Sequence, residues 1–522
     1  MRRTKQRKAM VGGFAAALIA TMAGSAVAAS SGPSGPGDVN TKKFRDAVTV
    51  NQILQHERQF QRIANRNDGT RASGTPGYKA SVRYVSKTLR RAGYKVRIQE
   101  FTFPFSRDLE PAEFSELSPT AQDFETAAFS YSGSGDVTGQ IVPTNDVVIP
   151  AAPEPGSTSG CEASDFPTAP AAPAIALIQR GTCSFEIKAD NAAAAGYDAA
   201  IIFNEGNPGR TDLTIGTLGA PKSIPVIGLS YDDAVALYEE SQSGPVTGRV
   251  FTSTESDLNR KTYNVIADSP RGKKKGETVV VGAHLDSVAE GPGINDNGSG
   301  AATTLEIAEQ MATKKYTKKL QRRIRFAFWG AEESGLLGAQ HYVDNLNTRQ
   351  LNRIYANLNF DMVGSPNYVR FVYDGDGSDT PDAGPPGSAE IETVFTDYFE
   401  SQDLATAPTA FDGRSDYGPF IEVGIPSGGL FSGAEGIKTE VEAAVFGGAA
   451  GEPYDACYHS ACDTITNLST KALNELGDGA AHAVLTLALS KRGLYPDSSF
   501  AKTTPKRTRS YDDLQKGHTP LK

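Results

Sequence analysis

The sequence predicts an α/β sandwich with a mainly parallel sheet, interrupted by a smaller β-rich module. Two observations predict this fold. Over residues 256–495, short apolar runs with strand character alternate with longer amphipathic runs with helical spacing, which is typical of strand–helix–strand units. Over residues 129–255 the chain changes to short β-rich runs separated by Gly, Pro and Ser, with one helix-like segment, FEIKADNAAAAGY.

The N-terminal part of the chain is predicted to be a targeting segment followed by the start of the sandwich. Residues 1–28 combine a basic start, a short apolar stretch and a small-x-small cleavage pattern, and they predict a signal peptide and secretion; the alternative is a membrane anchor. Residues 29–44 are expected to be a flexible N-terminus or a propeptide. Two amphipathic helices and an alternating strand follow, and they assign residues 45–128 to the first part of the sandwich.

Size and charge narrow the class of protein. A chain of 522 residues is expected to form two domains. It carries 52 Lys and Arg against 61 Asp and Glu, a formal net charge of -9. An acidic secreted protein is a poor candidate for binding nucleic acid or membranes, so we expect neither as a partner, and we expect a monomer. The polar segment 496–522 is expected to be a disordered or processed tail.

The chain has four cysteines: Cys161, Cys183, Cys457 and Cys462. An even number in a secreted chain suggests two disulfides, for which the sequence allows three pairings. Proximity along the chain favours Cys161–Cys183 and Cys457–Cys462.

Five polar clusters come at or just after predicted strands, or on a constrained loop. In open α/β sheets, functional sites form outside the carboxyl ends of the strands. The clusters are His284 with Asp286, Asp296, Glu332 with Glu333, Asp361, and Tyr458 with His459. Each cluster alone is a weak signal, because Asp also begins helices and Glu pairs are usually solvated. Together, two imidazoles and three carboxylates can hold two zinc ions with three ligands each, provided that one carboxylate bridges.

Seven motifs carry a resemblance to a known family: RASGTPGY, GAHLDSV, GINDNGSG, FWGAEESGLLG, NLNFDMVG, GRSDYGPF and CYHSACDT. The chain resembles the secreted di-zinc aminopeptidases of the aminopeptidase Y and bacterial leucyl aminopeptidase family. Through ALIQRGTCSFEIKADNAAAAGYDAAIIFN, the β-rich module resembles a protease-associated domain. The resemblance implies a three-layer sandwich with a mainly parallel mixed sheet. Residues 45–128 and 256–495 would form the catalytic domain, and residues 129–255 would be inserted in it.

The resemblance also implies two zinc ions per chain and a ligand set for them. His284 and Asp361 would bind one zinc, Glu333 and His459 would bind the other, and Asp296 would bridge the pair. A structural Ca²⁺ is left open.

Four further residues receive roles from the resemblance. Glu332 would be the general base, and Asp286 would orient His284 as a supporting carboxylate. Tyr458 would donate a hydrogen bond to the developing oxyanion. Arg414 would help to hold the terminus of the substrate.

The implied activity is removal of N-terminal residues, bulky and Leu-like, from peptides with free N-termini. The alternatives are a di-zinc carboxypeptidase or dipeptidase of the same fold, and a non-catalytic peptide-binding relative. A glutaminyl cyclase shares the fold but generally uses one zinc. The remaining histidines, His56, His341, His482 and His518, are expected to be structural.

Overall fold

A computed structural model of the protein describes residues 39–171, 173–270, 272–274 and 276–494. The predicted signal peptide and the predicted tail lie outside the described residues. Within the described ranges, no helix is both long enough and apolar enough to cross a membrane.

The α-helices begin where the sequence offers capping side chains. Thr49, Thr75 and Ser469 each accept a backbone N–H from the first turn of the helix that follows, and Pro76 begins its helix at the position where proline is best tolerated. The helices of the described chain are α1 Lys42–Arg45, α2 Val50–Ala64, α3 Pro76–Arg91, α4 Phe185–Ala194, α5 Tyr231–Ser243, α6 Gly300–Met311, α7 Lys314–Thr317, α8 Leu337–Asp344, α9 Thr348–Leu351, α10 Ser388–Glu400, α11 Gly418–Glu422, α12 Glu440–Phe446 and α13 Thr470–Leu489.

The strands join into one mixed sheet of 13 strands, in the order β12-β11-β13-β10-β8-β9-β7-β3-β4-β5-β6, with β1 on β7 and β2 on β1. Their bounds are β1 Lys95–Ser118, β2 Gln122–Phe124, β3 Gly135–Pro143, β4 Ala174–Gln179, β5 Ala199–Phe203, β6 Val226–Leu229, β7 Val246–Asp268, β8 Thr278–His284, β9 Arg323–Trp329, β10 Ile354–Phe360, β11 Phe371–Tyr373, β12 Ala407–Thr409 and β13 Ser427–Phe431. Strands β13, β10, β8 and β9 are parallel to one another.

The central strands are buried on both faces, as the apolar run TVVV predicts. Val279 and Val281 of β8 pack into the core formed with α2, α3, α6 and α13, whereas Val280 packs into the opposite core with α8 and α11. Since successive side chains of a strand point to opposite faces, these two cores make the predicted three-layer sandwich, which is confirmed.

The inserted module contributes strands β3 to β6 at one end of this sheet, and α4 and α5 flank them. Helix α5 is an addition to the prediction, which placed one helix here. Ser230 caps it and is followed three residues later by Asp233, a helix-start signal that was available in the sequence. Strand β7 runs without interruption through residue 255, where the module was predicted to end. The domain bounds 129–255 therefore remain a prediction.

The segment 29–44 lies partly within the described residues, and there it differs from the prediction of flexibility. Residues 42–45 form α1, and Phe44 is buried against Tyr316. One buried aromatic side chain, Phe44, anchors this four-residue helix on the core.

Candidate metal centre

Three neighbouring strands deliver polar side chains to one edge of the sheet. His284 is the last residue of β8, Asp361 directly follows β10, and Glu332 comes three residues after β9. Strand β8 lies between β10 and β9, and the three are parallel. Their carboxyl ends therefore meet at one place, as the sequence predicts.

The predicted ligands form two groups that share one carboxylate. In the first group, His284 Nε2 lies 3.1 Å from Asp296 Oδ1 and 3.2 Å from Asp361 Oδ1. In the second group, His459 Nε2 lies 3.2 Å from Asp296 Oδ2 and 3.0 Å from Glu333 Oε2. Asp296 thus turns one oxygen towards each histidine.

The segment that holds Asp296 is a kinked turn, Ile294–Ser299, in which Asp296 and Asn297 have non-helical backbone angles, and it leads into α6. Asp296 is not the cap of α6, the role that its position before a helix also allowed. Its backbone N–H and that of Asn295 both donate to the Asp463 carboxylate, at 2.9 Å and 2.8 Å. The turn is therefore held by contacts from a distant loop, and its carboxylate is free to face the two histidines.

Asp286 contacts His284 more through its backbone than through its carboxylate. His284 Nδ1 lies 3.2 Å from the Asp286 carbonyl oxygen and 3.7 Å from Asp286 Oδ1. Asp286 Oδ1 also accepts the Glu332 backbone N–H, at 3.4 Å. Asp286 thus links the predicted zinc ligand to the predicted base.

Three non-glycine residues at the site have positive φ: Ala331 at 53°, Met362 at 51° and His459 at 52°. Ala331 precedes Glu332, Met362 follows Asp361, and His459 is itself a predicted ligand. L-residues adopt this region at a cost, and such positions concentrate at functional sites. At these positions the strained backbone directs the side chains of Glu332, Asp361 and His459 towards one centre.

Negative charge exceeds positive charge in this buried cluster. Burial raises the pKa of Glu332 well above its ordinary value; His284 opposes this shift and Asp361 reinforces it. Burial and the Asp296 carboxylate raise the pKa of Glu333 to about 7. Burial disfavours a charged His284, but Asp361 and Glu332 outweigh it and raise the pKa of the imidazole.

The donor set fits a divalent cation. In each group of three, the ligand atoms lie within 4.8 Å of one another. Among the described residues, the buried oxygens Glu333 Oε1 and Asp286 Oδ2 have no hydrogen-bond partner, which is costly for a carboxylate unless it is paired or binds a metal. Imidazole nitrogens and carboxylate oxygens in threes are the ligands of a catalytic zinc. The residues present therefore fit zinc at both groups.

Two residues of the GRSDY motif reach the centre besides Arg414, and sequence reasoning assigned neither. Ser415 donates its hydroxyl to Asp361 Oδ2 at 2.5 Å and so orients that carboxylate. Asp416 is buried, and neither of its oxygens has a hydrogen-bond partner among the described residues. The motif was visible in the sequence, but the contact of Ser415 with Asp361 spans 54 residues and no spacing rule predicts it.

Tyr458 and Arg414 lie together beside the second group. The Tyr458 ring stacks on His459, with ring centroids 3.8 Å apart. Arg414 donates to the Tyr458 phenol oxygen at 3.2 Å and to Glu435 at 2.8 Å. Burial, then Asp296 and Glu333, raise the pKa of Tyr458 above its ordinary value, so the phenol stays protonated.

Both favoured disulfides are present, Cys161–Cys183 in the inserted module and Cys457–Cys462 around Tyr458 and His459. The second closes a loop of few residues on the turn that bears His459. We expect it to limit the motion of that turn.

The other histidines lie away from the centre. His341 stacks on Phe101 and His482 on Tyr398, as expected for structural residues. His56 is more than a packing residue, because its Nε2 lies between two carboxylates of α6 while its Nδ1 contacts a tyrosine hydroxyl. His518 lies outside the described residues.

A buried cluster of imidazoles and carboxylates at the carboxyl edge of an α/β sheet is typical of metal-dependent hydrolases. Comparison with known proteins makes the class specific. The model of Peptidase family M28 matches residues 264–484, and the model of the PA domain matches residues 137–237.

The chain is 47% identical to an aminopeptidase of Pseudomonas aeruginosa over 455 residues, which cover 85% of this chain and 82% of that protein. It is 38% identical to a probable leucine aminopeptidase 2 of Aspergillus oryzae, with 86% of each chain covered. A solved zinc aminopeptidase from Bacillus subtilis superposes with a TM-score of 0.61 at 26% identity, over 85% of this chain and 97% of that one.

The chain belongs to Peptidase family M28, with a PA domain inserted in the peptidase fold. The predicted resemblance and the predicted enzyme class, a metallo-aminopeptidase, are confirmed. Zinc as the metal is supported by the same comparisons together with the donor set.

Proposed function

We propose that this protein is a secreted di-zinc aminopeptidase that removes bulky hydrophobic, Leu-like residues from the N-termini of peptides. The observation that carries the proposal is the position of Asp296, whose two oxygens lie 3.1 Å and 3.2 Å from histidines of different groups. A carboxylate that faces two ligand groups in this way suits two metal ions that share it. His284 and Asp361 would hold one zinc, and Glu333 and His459 the other.

The zinc pair, when bound, would polarise the scissile carbonyl and lower the pKa of water towards about 7. Glu332 is the residue proposed to move the proton. Its carboxyl group is buried, and burial raises its pKa well above the ordinary value against the opposing charge of His284, the direction in which enzymes tune a glutamate for proton transfer. Glu332 would take a proton from the attacking water and return it to the leaving amine.

Tyr458 is proposed to stabilise the tetrahedral oxyanion. Because Arg414 donates to the phenol oxygen, the phenol hydrogen remains for another acceptor. Stacking on His459 holds the ring next to the second ligand group. A preoriented donor of this kind acts mainly on the transition state.

The substrate is proposed to bind through its free α-amino group, next to the acidic residues of the centre, so that only the first peptide bond reaches Glu332. Arg414 lies at the edge of this centre, half-exposed, where its guanidinium can donate a hydrogen bond to an oxygen of the bound substrate. The preference for Leu-like residues rests on the names of fungal relatives and on the resemblance of the motifs. Secretion is proposed from the signal-peptide pattern and is consistent with the two disulfides.

A substrate panel tests the proposal. The mature protein should hydrolyse Leu-p-nitroanilide faster than the Ala, Glu and Lys analogues and should leave N-acetyl-Leu-p-nitroanilide intact, because the acetyl group removes the charged amine. A zinc chelator should abolish the activity, and added zinc should restore it. Cleavage of the acetylated compound, or full activity after chelation, would contradict the proposal.

Replacement of Tyr458 tests its role separately. In Tyr458→Phe the ring can still stack on His459, but the hydrogen-bond donor is gone. We expect kcat to fall by about 10²–10³-fold with little change in KM, as for the loss of one oxyanion donor. Steady-state kinetics on Leu-p-nitroanilide measure this split, and a rise in KM alone would assign Tyr458 to substrate binding instead.

A further inference from the structure

Arg71 is a fully buried arginine in the motif RASGTPGY, and the proposed mechanism gives it no part. Its guanidinium donates to the carbonyl oxygens of Leu285 at 2.6 Å, Pro292 at 2.8 Å and Gly293. Its backbone N–H donates to Ser287 Oγ at 3.0 Å. One side chain therefore binds the backbone at both ends of the loop that runs from His284 to Asp296.

This loop, residues 285–295, which we call the metal loop, joins two of the five predicted ligands. Leu285 directly follows His284, and Gly293 comes three residues before Asp296. A fixed distance between these two carbonyl groups fixes the distance between the two ligands that flank the loop. A planar guanidinium presents its N–H groups in a rigid fork, so it can set such a distance where a flexible ammonium cannot.

Asp463 holds two further polar groups of the same backbone. Its two oxygens accept the N–H groups of Asn295 and Asp296 at 2.8 Å and 2.9 Å. Asp463 follows His459 by four residues, so this contact ties the bridging Asp296 to the turn that carries the second histidine. Arg71 thus holds three carbonyl groups of this backbone, and Asp463 holds two of its N–H groups. Both fix the backbone and leave the Asp296 side chain to face the two histidines.

Helix α2 completes the arrangement. Glu57 is fully buried beside Arg71; burial raises the pKa of its carboxyl group well above the ordinary value, and the Arg71 charge opposes that rise. Its Oε2 lies 2.8 Å from where a Cβ on Gly298 would be, so a side chain at Gly298 would displace it. The Arg71 guanidinium also lies 5.0 Å over the Phe60 ring. Burial of an arginine costs desolvation free energy, and its hydrogen bonds to the loop offset that cost.

We infer that Arg71 and Asp463 are positioning residues that set the spacing of the metal ligands on the metal loop. The inference rests on the proposed di-zinc function and deepens it. Replacement of a residue that orients a metal ligand typically weakens metal affinity by about 10- to 100-fold. A purely structural arginine would contribute to stability and leave the metal untouched.

The chain offers a matched control in Arg322. This arginine is also fully buried, donates to three backbone carbonyl oxygens between residues 487 and 492, and lies 4.0 Å over the Tyr355 ring. It lies at the opposite end of the strands, where Arg323 begins β9. Arg322→Lys should therefore lower the melting temperature without a change at the metal centre.

The test measures zinc affinity by chelator competition, and the visible spectrum after cobalt substitution, in full-length Arg71→Lys, Asp463→Asn and Arg322→Lys. We expect the first two to bind zinc about 10- to 100-fold more weakly and to shift the cobalt spectrum, and Arg322→Lys to match the wild type in both. Wild-type affinity and spectrum in Arg71→Lys and Asp463→Asn would overturn the inference, as would equal weakening in Arg322→Lys.

The zinc-binding experiment distinguishes a failure of this inference from a failure of the proposed function. If the wild type binds no zinc, the proposed function fails; if it binds zinc and the variants bind it equally well, only the inference fails. If Arg71→Lys does not fold, the comparison of Asp463→Asn with Arg322→Lys still decides, because Asn can accept only one of the two N–H groups.

Discussion

Glu332→Gln is expected to lower kcat by roughly 10²–10⁴-fold while the zinc content of the chain stays that of the wild type. Glutamine has nearly the same shape and keeps the Glu332 backbone contact with Asp286, but it cannot take a proton. Glu332 is not one of the residues whose oxygens face a histidine, so its neutralisation leaves both ligand groups complete. Steady-state kinetics and metal analysis of the same preparation measure the two quantities.

Glu290→Gln is the control for this substitution. Glu290 is an exposed residue of the metal loop, so its variant loses one carboxylate close to the site in sequence without touching the centre. It should retain wild-type kcat. Comparable turnover in Glu332→Gln and wild type would remove Glu332 from the role of base.

Asp296→Asn is expected to leave the chain with at most one tightly held zinc and to abolish most of its activity. The asparagine retains one oxygen and replaces the other with an NH₂ group, which cannot bind a metal. Since Asp296 offers one oxygen to each group, one group should lose a ligand whichever way the amide turns. Loss of a direct ligand should weaken zinc binding by about 100-fold or more, the upper end of what residues around a ligand contribute.

Metal titration of the chelator-stripped variant measures this effect, and the exposed Asp382→Asn serves as the control. The control should bind zinc as the wild type does. Two zinc ions held at wild-type affinity in Asp296→Asn would mean that Asp296 does not bridge.

The convergence of the proposed ligands was predictable from sequence because several signals, each weak alone, point to one edge of the sheet and lie in motifs that resemble a known family. His284 and Asp361 follow apolar runs that form central strands, and parallel strands bring their ends to one edge. Asp296 had two interpretations in the sequence, helix start or ligand. In the structure, Asp296 lies in a kinked turn with non-helical backbone angles, and its carboxylate faces both histidines, as the ligand interpretation requires.

The residues that support the ligands were not predictable in the same way. Arg71 reaches the metal loop across more than 200 positions of the sequence, and Asp463 reaches Asp296 across 167. Ser415 was part of a recognised motif, yet its contact with Asp361 depends on how two loops pack. Local periodicity carries no information about such contacts, because tertiary packing creates them.

The fold, too, has features that local sequence predicts and features that only tertiary packing creates. The alternation of strands and helices predicts the sandwich. The change to short β-rich runs separated by Gly, Pro and Ser predicts the inserted module. The continuity of β7 from Val246 to Asp268 was not predicted, because its Thr- and Ser-rich middle looks like the end of a module. Pairing with β1 along its length keeps that polar stretch extended, and the two sheets become one.

The central claim is that catalysis requires two zinc ions that share Asp296. Stepwise addition of zinc to the chelator-stripped protein, with hydrolysis of Leu-p-nitroanilide followed at each step, tests it most directly. Activity is expected to rise until two equivalents of zinc per chain are bound and then to reach a plateau. Full activity at one equivalent, or activity independent of zinc, would contradict it.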